Sequence, residues 1–230
     1  MCERGCVVAP RLGDRRSVKH LLQRCAATSA ALVFLIGTAI ASAAPVPAPL
    51  TAHDTLLLQR IAAYLNDIGT MTANFQQIAG NGAVSTGRLW VSRPGRMRFA
   101  YNPPDPIDLL ADATSVYYFD KQLDQVSKYD LRQTPAWFFL RNPISFGGDV
   151  AVAQFQEVGN VVRVTVIETA QPDSGSLTLV FTENPLTLRQ WIVVDQEGKT
   201  TTVSLSDLRF GMALDPRLFQ YQSLFAGSNR

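Results

Sequence analysis

The 230 residues allow one or two domains. Six of the 21 basic residues (Arg4, Arg11, Arg15, Arg16, Lys19, Arg24) but only two of the 19 acidic ones (Glu3, Asp14) lie in the first 43 positions, so without that segment 15 and 17 remain and the net charge moves from +2 to −2. The basic balance therefore gives no ground for a nucleic-acid partner. Because Cys2, Cys6 and Cys25 lie in the same segment, the other 187 residues carry no cysteine and no disulfide.

The basic leader is followed by an apolar run from Ala30 to Ile40 and by Ala41-Ser42-Ala43, the small-x-small pattern of a signal-peptidase site. The run is too short and too rich in small residues for a transmembrane helix. The expected organisation is a signal peptide over 1–43, cleaved at Ala43-Ala44, with a retained membrane anchor as the competing reading. An extended, proline-rich tether occupies 44–52, one domain spans 53–222, and a C-terminal tail covers 223–230.

From Asp54, apolar residues at Leu57, Leu58, Ile61, Ala62, Leu65 and Ile68 follow helical spacing, with Asp54 as N-cap and Gly69 as the stop. Such a face lies on a sheet or in its concavity. Thr70–Ile78 alternates Met71, Ala73 and Phe75 against Thr72, Asn74 and Gln76, and the turn signal Gly80-Asn81-Gly82 follows. Leu89 and Val91 alternate with Arg88, Trp90 and Ser92. Beyond the Pro94-Gly95 turn, Met97, Phe99 and Tyr101 alternate with Arg96, Arg98 and Ala100. Period-two patterning between proline and glycine signals marks a half-buried antiparallel sheet. Further strands run to Tyr129.

Leu131–Asn142 breaks the pattern and predicts a short helix capped by Thr134, with Pro135 in its first turn. Trp137, Phe138, Phe139 and Leu140 make it apolar nearly all round, so it is buried on most sides or meets an apolar ligand. After a glycine-rich loop at 143–150, strands resume at Gln154–Val158, Val161–Glu168, Ser176–Glu183, Leu186–Asp195 and Thr200–Leu208. The order helix, strands, helix, strands predicts a mainly β (α+β) fold: one large, strongly curved antiparallel sheet of ten or eleven strands with helices on one face.

The residue inventory argues against an enzyme. His53 is the one histidine after the leader, and with no cysteine beside it the usual zinc sites are excluded. It reads as an exposed residue at a helix start. No G-x-S-x-G elbow, P-loop or strand-borne G-x-G-x-x-G is present. Asp105 and Asp108 form a carboxylate pair, but a glycosidase holds its pair across a polar cleft, and these fall in a turn after Pro103-Pro104 that reads as solvated. No catalytic residue, metal or cofactor is expected.

The first helix followed by Met71-Thr72-Ala73-Asn74-Phe75-Gln76-Gln77, the hairpin Gly87-Arg88-Leu89-Trp90-Val91-Ser92-Arg93-Pro94, and Thr134-Pro135 through Leu140-Arg141-Asn142 together resemble the LolA family, periplasmic carriers of outer-membrane lipoproteins. The resemblance covers residues 52–220. It implies an unclosed antiparallel β-barrel with a helical lid over an apolar concavity. It also implies binding of the acyl chains of a lipoprotein released by an inner-membrane ABC transporter, and delivery to an outer-membrane acceptor of the LolB type. A periplasmic monomer is expected, with an acyl-chain cavity formed by Phe75, Leu89, Val91, Met97, Phe99, Tyr101, Trp137, Phe138, Phe139 and Leu140.

In the family, the arginine of the Arg-Pro pair bonds lid-helix backbone, and Arg93 matches it. By alternation Arg93 shares a face with Leu89 and Val91, where a guanidinium needs carbonyls or a ligand. From the residues alone, a strand-end charge reaching solvent stands beside that reading; the resemblance favours the lid latch. The tail Phe219-Gln220-Tyr221-Gln222-Ser223 departs from the family in lacking a Pro-Pro, and Arg96 and Arg98 add cations on the outer face. One rival on the same fold is a LolB-type acceptor, which needs a lipobox cysteine at the cleavage site; Cys25, after Leu22-Gln23-Arg24, is not there. Another is a periplasmic lipid-binding or sensor protein that regulates a membrane partner.

Overall fold

A computed structural model describes residues 48–225; the leader and the expected cleavage site lie outside them. Among the described residues, no helix is long and apolar enough to cross a membrane.

Helix α1 spans Ala52–Asp67. Thr51 Oγ1 accepts from the Asp54 N–H (3.1 Å), and the Asp54 carboxylate accepts from the Thr51 N–H (2.8 Å). This reciprocal box satisfies a backbone donor at each end of the first turn. Thr51 is therefore the cap, and Asp54 is the third helical residue rather than the cap itself. Within the segment assigned to the tether, the Ala48 N–H donates to the Val152 carbonyl (2.9 Å), so residue 48 is joined to the sheet. Leu57, Leu58, Ile61 and Leu65 are buried, as their spacing predicts.

Eleven strands follow: β1 (Thr70–Ile78), β2 (Val84–Ser92), β3 (Arg96–Tyr101), β4 (Ile107–Asp112), β5 (Ser115–Asp120), β6 (Gln125–Asp130), β7 (Val150–Val158), β8 (Val161–Glu168), β9 (Ser176–Thr182), β10 (Thr187–Val194) and β11 (Thr200–Phe210). They form one sheet in the order β6-β5-β4-β3-β2-β1-β11-β10-β9-β8-β7, and each neighbouring pair is antiparallel. In a flat sheet, eight strand spacings would set β6 and β9 about 38 Å apart. Instead, Tyr129 of β6 and Leu177 of β9 line a common cavity. The sheet is rolled into a barrel that stays unclosed, because β6 and β7 are its two unpaired edges. Bulges in β7, β10 and β11 add twist. The bulge between Val152 and Gln154 also breaks the apolar alternation, which is why β7 begins at Val150 although its pattern is legible only from Gln154.

The helix predicted over Leu131–Asn142 is a 3-10 turn, Leu131–Gln133, followed by a five-residue helix α2, Ala136–Leu140. Thr134 caps nothing: its hydroxyl donates back to the Leu131 carbonyl (2.8 Å). Pro135 forces the residue before it out of the helical region, and Thr134 is accordingly extended at φ −119°, ψ 147°.

The inner face of the sheet, α1 and α2 share one core. A second core lies on the outer face, where Leu110 of β4 and Phe119 of β5 pack under Phe219 and Leu224. These last two belong to C-terminal 3-10 turns at Pro216–Phe219 and Tyr221–Phe225, so residues 223–225 are part of the packed body rather than of a tail. Arg98 holds this segment. Its Nη2 pairs with Asp108 Oδ2 (2.9 Å), while its Nη1 donates to Ser223 Oγ (2.9 Å) and the Leu218 carbonyl (3.3 Å). Lys121 Nζ reaches Asp108 Oδ1 (2.9 Å). Asp108 is thus buried and doubly paired in β4, and the solvated-turn reading of it is wrong; the segment that covers it comes from far along the chain.

Candidate functional site

Arg93 follows directly on β2, and its guanidinium enters the space between the C-terminal ends of the two helices. Nη1 donates to the Leu65 carbonyl and to the Ile68 carbonyl (3.3 Å) at the end of α1. Nη2 donates to the Arg141 carbonyl (2.5 Å), just past α2. Helix C-termini leave carbonyls without intrahelical partners and carry partial negative charge, so one cation serves both ends. Burial lowers the Arg93 pKa from its ordinary value, yet a guanidinium stays charged. Its acceptors among the described residues are all carbonyls.

Other bonds fasten the same end of α2. The Gly95 N–H donates to the Leu140 carbonyl (2.9 Å). Gly95 sits at φ +82°, and a Cβ there would lie 2.5 Å from that of Ala113, so this turn requires glycine. Arg141 Nη1 meets Asp149 Oδ1 (2.7 Å), its Nη2 donates to the Ser145 carbonyl (2.5 Å), and its guanidinium lies 4.8 and 4.9 Å from the Trp137 and Phe138 rings. Asn66 of α1 exchanges two hydrogen bonds with the backbone of Ile144 (2.9 and 2.8 Å). Ahead of α2, the Leu131 N–H donates to the Thr114 carbonyl (3.0 Å).

Beneath α2 lies an apolar cavity of about 330 Å³. Met97, Phe99 and Tyr101 of β3, with Leu109, Val116 and Tyr118, line one side. Leu177, Leu179, Trp191, Val193 and Val203 line the other, and Phe139 closes it from α2. Phe75 stacks edge-on against Phe99 (4.8 Å) and Tyr101 (5.0 Å), and Trp191 does so against Phe99 (6.0 Å). The Phe75 ring lies over Gly87, where a Cβ would come within 2.6 Å of it. Tyr101 donates to Gln77 Oε1 (2.8 Å), and burial pushes its phenol up to about 12. Burial raises Tyr118 as well. Both phenols are neutral near pH 7, and no lining side chain carries a charge.

Four of the ten expected cavity residues, Met97, Phe99, Tyr101 and Phe139, line this space. Phe75 backs it by stacking. Leu89, Val91 and Leu140 are buried in the core away from the lining, because an inward-facing position fixes the face of a sheet but not whether protein or void lies opposite. Trp137 and Phe138 face a second cavity of about 520 Å³ on the other flank of Thr134-Pro135. Sequence reasoning missed the opposite wall, of which Leu177, Leu179 and Trp191 are parts. Their alternation is visible in β9 and β10, but only the rolled topology brings those strands over β3.

Residues 66–222 match the family model described as outer membrane lipoprotein carrier protein LolA. The outer-membrane lipoprotein carrier protein of Pseudomonas paraeruginosa is 29% identical over 179 residues, which is 74% of this chain and 85% of that protein. That of Legionella pneumophila is 31% identical over 166 residues, 69% of this chain and 81% of that protein. The crystal structure of a LolA superfamily protein from Nitrosomonas europaea aligns with a TM-score of 0.41 at 12% identity, covering 72% of this chain and 98% of that one. The family match runs from the end of α1 through Arg93, α2 and the strands around the cavity into the C-terminal turns, and the chain belongs to the LolA family.

Proposed function

We propose that this protein is a periplasmic carrier. It binds the acyl chains of lipoproteins released from the inner membrane by an ABC transporter and delivers them to the outer membrane, to an acceptor of the LolB type. The observation that supports this reading most is an uncharged apolar cavity whose roof, α2, is fastened through Arg93 by carbonyls. Its 330 Å³ lies near the lower end of the roughly 300–1,000 Å³ of small-molecule pockets. Two or three acyl chains therefore enter only when α2 moves away. Each methylene they bury contributes about 0.8 kcal/mol, so chains enclosed in a permissive cavity would not leave. Closure of the empty protein reburies the apolar side chains of α2 and restores the Arg93 bonds. The empty state then competes with the loaded one, and net affinity stays moderate. Arg93 acts as the latch, and no bond of the cargo is made or broken.

The test uses the protein starting at Ala44. The fluorescent probe N-phenyl-1-naphthylamine should bind, a tri-acylated lipopeptide should displace it, and mass spectrometry should recover the lipopeptide unchanged. Displacement by free phospholipid but not by lipopeptide would replace the carrier with a lipid-binding or sensor protein. Binding of neither would refute both.

A further inference from the structure

The second cavity adjoins the first. Thr134, Pro135 and Leu177 line both, so the two spaces meet at the N-terminal end of α2. The chemistry changes across that boundary. On the far side, Trp137, Phe138, Val150 and Val166 contribute apolar surface, while the polar residues Gln133, Gln171, Ser174 and Gln196 line the rest. Arg132 and Glu168 add one charge of each sign. An amphiphile whose chains lie in the first cavity has its polar portion at this mouth.

Resting on the carrier reading, we propose that the second cavity is the subsite for the cargo's polypeptide, the few residues that follow the acylated cysteine. The wall matches a peptide backbone, which alternates donors and acceptors and carries no charge: glutamine side chains supply both kinds of group, and serine hydroxyls do the same. A phosphate headgroup matches it less well. Anion sites gather cations or converging amides, whereas here the one arginine is offset by Glu168. The bonds around α2 fit this placement. Arg93, Gly95 and Arg141 all fasten its C-terminal end. Thr134, Pro135 and Leu177 line both cavities, so lifting α2 once the Arg93 bonds open exposes the two together and lets chains and peptide enter side by side.

The experiment compares two probes on the protein starting at Ala44: dipalmitoylglyceryl-cysteine methyl ester, and the same lipid carrying an uncharged Ser/Asn/Gly peptide of about six residues. The wild type should hold the lipopeptide about tenfold more tightly than the ester. Ser174→Trp, which fills the cavity from a half-buried turn, should bring the two affinities level. So should the milder Gln171→Ala/Gln196→Ala double variant. Both should leave N-phenyl-1-naphthylamine binding unchanged, with circular dichroism checking the fold. Equal wild-type affinities for the two lipids would overturn the subsite and leave the carrier reading standing. Binding of neither lipid would remove the carrier reading and the subsite with it. Selective loss of phosphatidylglycerol binding in the variants, with lipopeptide binding intact, would make this an anionic headgroup site and overturn the peptide assignment.

Discussion

Arg93 and Arg98 lie five residues apart on opposite faces of the sheet, and each ties a distant segment to it. On the outer face, the Arg98 side chain is 13% exposed and faces a carboxylate, Asp108, that is 4% exposed. Leu110, Phe119, Phe219 and Leu224 pack on the same face. On the inner face, Arg93 meets carbonyls at two helix ends. The difference separates two kinds of attachment. A buried ion pair cannot be opened without leaving a bare charge in an apolar setting. Helix-end carbonyls can be returned to water when a helix lifts, and the guanidinium remains charged in either state. The outer attachment resists opening, and the inner one suits the release that the proposed carrier function requires.

The most severe test of that contrast is Asp108→Ala. It strands Arg98 without its counter-charge and should cost about 3–5 kcal/mol, read as a fall in the urea midpoint. Replacing both partners, Arg98→Met with Asp108→Leu, should recover most of the loss. Leu224→Ala removes a buried anchor of the same segment and should cost about 2–5 kcal/mol, while probe binding in the inner cavity stays as it was.

Arg93→Leu should be milder for stability, about 1–2 kcal/mol, because the lost charge-assisted bonds are offset by the removal of a buried charge. Its effect should appear in transfer. At equal loading, hand-over of lipoprotein to acceptor membranes should slow by about tenfold. Equal transfer rates, or a stability loss exceeding that of Asp108→Ala, would break the contrast.

The smallest effect concerns a third tie, on the inner side. His53 Nε2 lies 2.8 Å from Glu157 Oε2 and links the first turn of α1 to the edge strand β7. The hydrogen bond and charge of Glu157 raise the histidine pKa above its ordinary 6.5. The stabilisation is therefore complete below about pH 6.5 and is lost as pH rises through the raised folded-state value. His53→Gln should flatten the pH dependence of the urea midpoint in that window and leave the midpoint above it unchanged.

Legibility in the sequence follows the same division of faces. Thr70–Ile78 and Val161–Glu168 are legible to the residue, because period-two alternation runs between clear turn signals. Alternation places Arg93 on the inner face but leaves a strand-end charge reaching solvent as an equal reading, and only the family resemblance decides between them. The partners of Arg93 are not legible, since they are backbone carbonyls with no side-chain signature. The outer core carries a signal that alternation alone passes over. Leu109, Val116 and Tyr118 line the inner cavity, yet Leu110 and Phe119, facing the other way, are apolar too. Strands apolar on both faces are covered on both faces. What covers the outer one, Phe219 and Leu224, lies about a hundred residues on, and no local pattern connects them. The cavity is half legible: β3 announces its own wall, while the opposite wall at Leu179 and Trp191 depends on how the sheet rolls.

The position of β1 has a consequence for the order in which the chain folds. From β1 to β6, and again from β7 to β11, every strand pairs with its sequence neighbour, so each half is a meander assembled from short loops. The pairing that unites them is β1 with β11, which brings Met71 beside Phe210. Loop-closure entropy makes that long-range step the slow one. A chain emerging from its N-terminus has the first meander complete, with β1 as a waiting edge, before the last strand exists to zip onto it.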